Sequence, residues 1–113
     1  MFIGTDIERV DRFKKVLNND SFLKKFFTEK EINYCFSKFA PEQHFAARFA
    51  AKESTIKAFY SLSRRFLSHK EIEILNDEDG RPFLDLKMKI KSNLSLSHTD
   101  ENAIAFVCLE NEK

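Results

Sequence analysis

The spacing of apolar residues changes between the two halves of the chain. At the start, "MFIGTDIE" places Ile3 and Ile7 among polar residues, with Gly4 breaking the alternation, and predicts a first strand over 2–8. Residues 9–17 and 20–27 read as short basic helices. The segment Thr28–Glu31, "TEKE", has the form of a capping box: the Thr28 hydroxyl accepts from the Glu31 backbone N–H, and the Glu31 carboxylate bonds back. It predicts a helix from there to about Phe39. Pro41 suits a first helical turn, where its missing N–H is not needed, and opens a long central helix over about 41–61. The second half alternates instead. "EIEIL" (71–75) and "RPFLDLKMKI" (81–90) flank the turn chemistry of "NDEDG" (76–80), which predicts a hairpin. "LSLSH" (94–98) and "AIAFVCLE" (103–110) flank "TDEN" and predict a second. Helices followed by strands give an α+β fold, helices packed on an antiparallel sheet that the strand at 2–8 can join.

The long helix is unusual on its wheel. At roughly 100° per residue, Phe45, Phe49, Ile56, Phe59 and Tyr60 share one face. Ala47, Ala51, Ser54 and Ala58 share the opposite one, small enough for another backbone to pack closely. A helix with Phe on one side and Ala on the other is enclosed over much of its surface. Yet Lys52 points into the Phe face, Glu53 sits beside Phe49 and Tyr60, and Lys57 follows Glu53 by one turn. On a solvated face, Glu53 and Lys57 would be an ordinary i,i+4 pair worth about 0.2–0.5 kcal/mol. Among aromatics a carboxylate is costly unless a cation or hydrogen bonds compensate it. The alternative is a carboxylate that holds a cation, next to a lysine that meets phosphate.

Composition narrows the function. The 113 residues make one domain, and the charges nearly cancel to +1, so the molecule as a whole does not announce a nucleic-acid partner. No apolar run approaches the roughly 20 residues of a membrane span, and the N-terminus lacks the basic-then-apolar form of a signal peptide. Cys35 and Cys108 have neither CxxC spacing nor a nearby His pattern, and read as two buried thiols in a reducing cytoplasm. A second function class, a small Phe-rich nucleic-acid-binding domain, has only "RRF" (64–66) and "DRFKK" (11–15) in its favour.

Other residues carry candidate chemistry. Asp6 is acidic within a strand-like stretch, where propensity disfavours it; facing water at a strand end is its ordinary explanation. With Glu53 it makes a pair of oxygen ligands suited to Mg²⁺, which takes one or two carboxylates and completes its shell with water and substrate phosphates. Ser97, His98 and Thr99 put three hydrogen-bonding groups where a strand meets a turn. Gly80 and Pro82 are explained by turn formation alone. Arg9, Arg12, Lys14, Lys15, Lys24 and Lys25 form a basic N-terminal region, either a solvated face or a dock for an acidic partner.

Five segments, in this order, carry a resemblance: "GTDIERVDRF" (4–13), "FFTEKEINYC" (26–35), "RFAAKESTIKAF" (48–59), "DGRPFL" (79–84) and "LSHTDENAIAFV" (96–107). Together they resemble the holo-acyl-carrier-protein synthases, the small type of 4'-phosphopantetheinyl transferase, over almost the whole chain. The resemblance implies a Mg²⁺-dependent transfer of the 4'-phosphopantetheine arm of coenzyme A to a serine of an apo acyl carrier protein, in fatty acid biosynthesis, with 3',5'-ADP released. It implies that Asp6 and Glu53 hold the metal and that Lys57 lies against the pyrophosphate. Arg48 and His98, with Ser97 and Thr99 beside it, match positions that meet coenzyme A. Gly80 and Pro82 match the lining of the nucleotide pocket, and Arg12 and Lys15 match the helix that docks the acidic carrier. It also implies a cytoplasmic homotrimer with active sites shared between subunits. The proton acceptor for the serine stays open between Glu53 and a water. The sequence departs from the family after Lys57, where a glycine-containing loop is common: "YSLSRRFLSHKEI" has none. This predicts an altered loop course with the helix extended, and places Arg64 and Arg65 where backbone contacts would be. The same departure leaves a second reading, a catalytically weak module that only binds the carrier.

Overall fold

The structure, a computed structural model, describes residues 1–111. Strand β1 (Phe2–Arg9) leads into α1 (Val10–Lys14), α2 (Asp20–Phe26), α3 (Glu29–Phe36) and the long α4 (Pro41–Ser63). A 3-10 turn at His69–Glu71 precedes β2 (Glu73–Asn76) and β3 (Pro82–Asp85), and then β4 (Ile90–His98) and β5 (Asn102–Asn111) close the chain. The strands form two antiparallel sheets, β1-β5-β4 and β2-β3. The expected α+β architecture is therefore present, and the first strand joins the sheet by pairing with the last.

Several boundaries differ from the sequence reading. The helix expected over 9–17 ends at Lys14, because Val16 N–H turns to the Phe13 carbonyl and the Asn19 side chain then accepts Phe22 N–H to cap α2. The helix expected to reach Phe39 ends at Phe36, where the Ser37 hydroxyl donates to the Tyr34 carbonyl at 2.6 Å and tightens the last turn. The strand expected over 81–90 is broken. Lys87 lies in the left-handed region (φ 57°), and the Asp85 carboxylate accepts both its backbone N–H (3.1 Å) and its Nζ (2.6 Å). A new strand begins at Ile90, four residues before the predicted one. The long helix runs two residues beyond Ser61 and ends on Arg64 in the left-handed conformation.

α4 fills the middle of the molecule. Its Phe side closes a core of Phe13, Leu23, Phe27, Cys35, Phe45 and Phe49 under α1–α3. Its C-terminal half packs Ala58 and Phe59 with Ile72, Ile74 and Leu84 of the small hairpin and Val107 and Leu109 of β5. The small side lies on the sheet, as the wheel predicts. Ser54 is fully buried there, and its hydroxyl donates to the Ala50 and Ala105 carbonyls at 2.8 and 3.2 Å. At Gly4 the helix and strand approach so closely that a Cβ would lie 1.8 Å from the Ser54 carbonyl oxygen. Both atoms belong to backbone, so neither can swing aside. Gly4→Ala should cost about 3 kcal/mol, the upper end of typical overpacking, and urea denaturation should show it as a lower midpoint. An unchanged midpoint would mean that α4 can lift from β1 without loss.

The two cysteines part company. Cys35 is buried, and that burial pushes its thiol up to about 12. Cys108 is only half-buried, on the far side of the sheet from α4, which corrects the expectation of two buried thiols. Among the described residues no helix is long and apolar enough to cross a membrane.

Candidate active site

β1 alternates against the expected sense. Its inward residues are Phe2, Gly4, Asp6 and Glu8; its outward ones include Ile3 (51% exposed) and Ile7 (59%). The reason lies opposite: the small, polar-edged flank of α4 leaves no room for large apolar side chains at Gly4, and places Lys57 beside Asp6, which follows. Asp6 pairs with Ala105 and Glu8 with Ala103, so only small neighbours crowd them from β5.

Lys57 does not form the i,i+4 pair with Glu53. Its Nζ donates to the Thr5 carbonyl at 3.0 Å and approaches Asp6 Oδ1 at 3.5 Å. Asp6 Oδ2 is buried with no hydrogen-bond partner. Glu8, 8% exposed, has its carboxyl pushed up to about 8 by burial, then by its hydrogen-bonding proximity to Asp6 and the charge of Asp6, with Glu53 adding to the effect and Arg12 opposing it. Arg12 reaches Glu8 Oε1 at 3.0 Å from α1, with its guanidinium over the Phe13 and Phe49 rings. Asp6 and Glu8 thus stand beside Lys57 and Arg12, which only partly offset their charge, and one buried Asp6 oxygen has no hydrogen-bond donor. An all-oxygen, net-negative donor set of this kind fits Mg²⁺. Among the described residues no group of three or more His, Cys, Asp or Glu is placed to hold a metal ion; Mg²⁺ needs only one or two carboxylates, with water and phosphate completing its shell.

Glu53 is less buried than its aromatic setting suggested: its side chain is one-third exposed, and Oε2 meets His69 Nε2 at 2.9 Å. The His69 ring stacks on Phe49 at 5.1 Å, so the imidazole comes between Glu53 and the aromatic core. Lys52 answers the other puzzle of the helix. Fully buried, its Nζ forms a 2.6 Å ion pair with Glu31 and donates to the carbonyls of Phe26 and His69, both at 2.9 Å. Burial pulls its pKa down, against the pull of Glu31. Glu31 closes the expected capping box with Thr28 and also accepts Ile74 N–H at 2.8 Å.

Toward the N-terminal end of α4 lies a second, cationic cluster. Arg48 is 3% exposed, with its guanidinium 4.0 Å from the Tyr34 ring centre and one nitrogen hydrogen-bonded to Asn76 Oδ1. Asn76 Nδ2 in turn donates to the Gly80 carbonyl at 2.9 Å. Arg48, Gly80 and the Pro82 strand start are therefore tied together through Asn76, and Gly80 supplies the positive φ (83°) that this hairpin turn needs. His98 lies 6.5 Å, ring to ring, from His44, whose pKa is lowered by burial and then by the charges of Arg48, Lys38 and His98. Ser97 and Thr99 do not join this cluster. By alternation Ser97 falls on the face opposite His98, in register with outward Ile104. The Thr99 hydroxyl accepts the N–H groups of Glu101 and Asn102 within the β4–β5 turn. Arg12 and Lys15 are both exposed on α1 and its end.

Sequence reasoning missed Glu8, His69, Asn76 and His44. Period-2 alternation from Asp6 would have found Glu8. Nothing local marks the other three, which matter only through partners distant in sequence.

Comparison with known proteins bears on the whole chain. The family model of the 4'-phosphopantetheinyl transferase superfamily matches residues 2–108. A holo-acyl-carrier-protein synthase of Chloroherpeton thalassium is 43% identical, with both chains covered completely, and one of Geobacter sp. is 41% identical over 95% of each. Among solved structures, a holo-acyl-carrier-protein synthase from Bacillus anthracis in complex with CoA (3',5'-ADP) superposes with a TM-score of 0.81 at 33% identity, covering 98% of this chain and 96% of that one. The Helicobacter pylori enzyme in complex with coenzyme A gives 0.81 at 29% identity, covering 96% and 99%. The chain therefore belongs to the 4'-phosphopantetheinyl transferase superfamily.

Proposed function

We propose that this protein is a holo-acyl-carrier-protein synthase, which moves the 4'-phosphopantetheine arm of coenzyme A onto a serine of apo acyl carrier protein and so serves fatty acid biosynthesis in the cytoplasm. One observation carries the reading: Lys57 Nζ of α4, one helical turn after Glu53, lies against Asp6 of β1. In the reaction the serine hydroxyl gives its proton to a base, Glu53 or a water, as its oxygen forms a bond to the β-phosphorus of coenzyme A. The bond from that phosphorus to the bridging oxygen breaks, and 3',5'-ADP leaves with that oxygen. Transfer of this kind asks for positioning and charge neutralisation more than covalent catalysis. Asp6 and Glu53 would hold Mg²⁺, which when bound offsets the charge of the pyrophosphate. Lys57 sets an ammonium beside the leaving phosphate. Arg48, through Asn76, fixes the Gly80 turn as one wall for the nucleotide, and His98 with His44 offers hydrogen-bonding groups to its phosphate.

The exposed far face of the sheet supports a homotrimer with shared sites. Ile3, Ile7, Ile104 and Phe106 are 44–59% exposed there. A patch of this kind on a small protein marks an interface. The depression that holds Asp6 and Lys57, about 380 Å³, is walled by Ile7 and Ile104 of that same face. A second copy covering the face would complete the wall.

Release of 3',5'-ADP, followed by chromatography, tests the reading: it should require both apo carrier protein and a divalent cation. Release without carrier would instead indicate hydrolysis of coenzyme A. Docking is tested separately. Lys15→Glu should raise the KM for carrier protein about tenfold, equivalent to roughly 1.4 kcal/mol, and leave the KM for coenzyme A unchanged. Arg12→Ala should disturb both, because it also releases Glu8. Equal effects of Lys15→Glu on both substrates would remove α1 from carrier recognition.

A further inference from the structure

We propose that His69 is a positioning residue that holds Glu53 in its ligating orientation, an inference that rests on the metal role given above to Asp6 and Glu53. A carboxylate only accepts hydrogen bonds, so the 2.9 Å contact between His69 Nε2 and Glu53 Oε2 requires the proton on Nε2. That contact engages Oε2 and not Oε1. The imidazole itself has little freedom. Its ring is stacked on Phe49 (5.1 Å, 12°) and set edge-on against Phe26 (5.0 Å, 89°).

The backbone under it is pinned from several sides. Buried Lys52 donates to the His69 carbonyl at 2.9 Å, and Lys70 donates to the Lys24 carbonyl at 3.0 Å. A capping box between Ser68 and Glu71 closes the turn. The Glu31–Lys52 ion pair thereby does more than neutralise itself: it fixes the turn that presents the imidazole to Glu53. Hydrogen bonds from outside the ligand set orient metal ligands, and their loss commonly costs ten- to a hundredfold in metal affinity.

The test is Mn²⁺ titration of the full-length protein without nucleotide, following free Mn²⁺ by electron paramagnetic resonance. His69→Phe keeps a ring against Phe49 and Phe26 but removes the donor. His69→Gln restores a donor at similar reach. Glu53→Gln is the reference for the metal site. The Lys52 contact is to backbone, so these variants retain it, and circular dichroism checks that they fold. The proposal expects Glu53→Gln to abolish binding, His69→Phe to weaken it about tenfold or more, and His69→Gln to recover most of the loss. If Glu53→Gln abolishes binding and His69→Phe binds as wild type, the His69 role is overturned and the metal site stands. If Glu53→Gln also binds as wild type, or the wild type binds no Mn²⁺, both are overturned.

Discussion

Glu53→Ala should abolish turnover, by about 1,000-fold or more in kcat, while the protein remains folded. The magnitude is that expected of the metal ligand proposed above: a cation's charge stabilisation in the transition state is worth several kcal/mol, and about 4 kcal/mol is a factor of 1,000. The stability claim follows from the setting. Glu53 is one-third exposed, and its hydrogen bond is to His69, which stays stacked on Phe49 without it. Truncation therefore opens no cavity. Rate and divalent-metal dependence should fall together, and the thermal midpoint should stay near that of the wild type. A near-normal rate would remove Glu53 from the site, and an unfolded variant would mean that its contacts are structural.

The largest stability effect should come from Lys52, one residue earlier. Lys52→Ala leaves the Glu31 carboxylate buried, with its two backbone N–H partners but no cation. Removing one partner of a buried pair typically costs about 3–5 kcal/mol. Native domains have only about 5–15 kcal/mol in total, so the variant should be largely unfolded at moderate urea. Adding Glu31→Gln should recover part of the loss, since a neutral amide needs no counter-charge and its oxygen still accepts one of those N–H groups. Urea titrations at one protein concentration compare the three. A loss under about 1 kcal/mol in Lys52→Ala would show that water reaches Glu31.

These neighbouring residues mark how far the sequence could be read. The Phe and Ala faces of α4, its Pro41 start and the Thr28–Glu31 box are local patterns, and the structure repeats them. Lys52 was visibly misplaced on its wheel, but its partner was hidden. The Glu31 that completes a capping box three residues from Thr28 also reaches Ile74, 43 residues away. No local pattern encodes that second duty. The strand break at Lys87 was hidden for a different reason: the alternation of 81–90 runs straight through it, and only the Asp85 side chain, bonding back to the Lys87 backbone, stops the ladder. Of the candidates Asp6, Glu53 and Lys57, the fold brings Lys57 against Asp6. Helical spacing offered a Glu53–Lys57 pair as the ordinary explanation, whereas the packing of β1 on α4 gives Lys57 to Asp6 and the 3-10 turn gives His69 to Glu53. Ser97 and His98 form one candidate group in the sequence because they are adjacent; a strand sends adjacent side chains to opposite faces.

The central claim is the transfer itself, and intact-protein mass spectrometry of the carrier tests it most directly. Apo acyl carrier protein is incubated with this protein, coenzyme A and Mg²⁺, with and without a chelator. The account predicts that the carrier gains the mass of one phosphopantetheine on its serine, and that the chelator prevents the gain. A carrier of unchanged mass, from folded protein and an acceptor that a known synthase can modify, would contradict it and leave a protein that only binds.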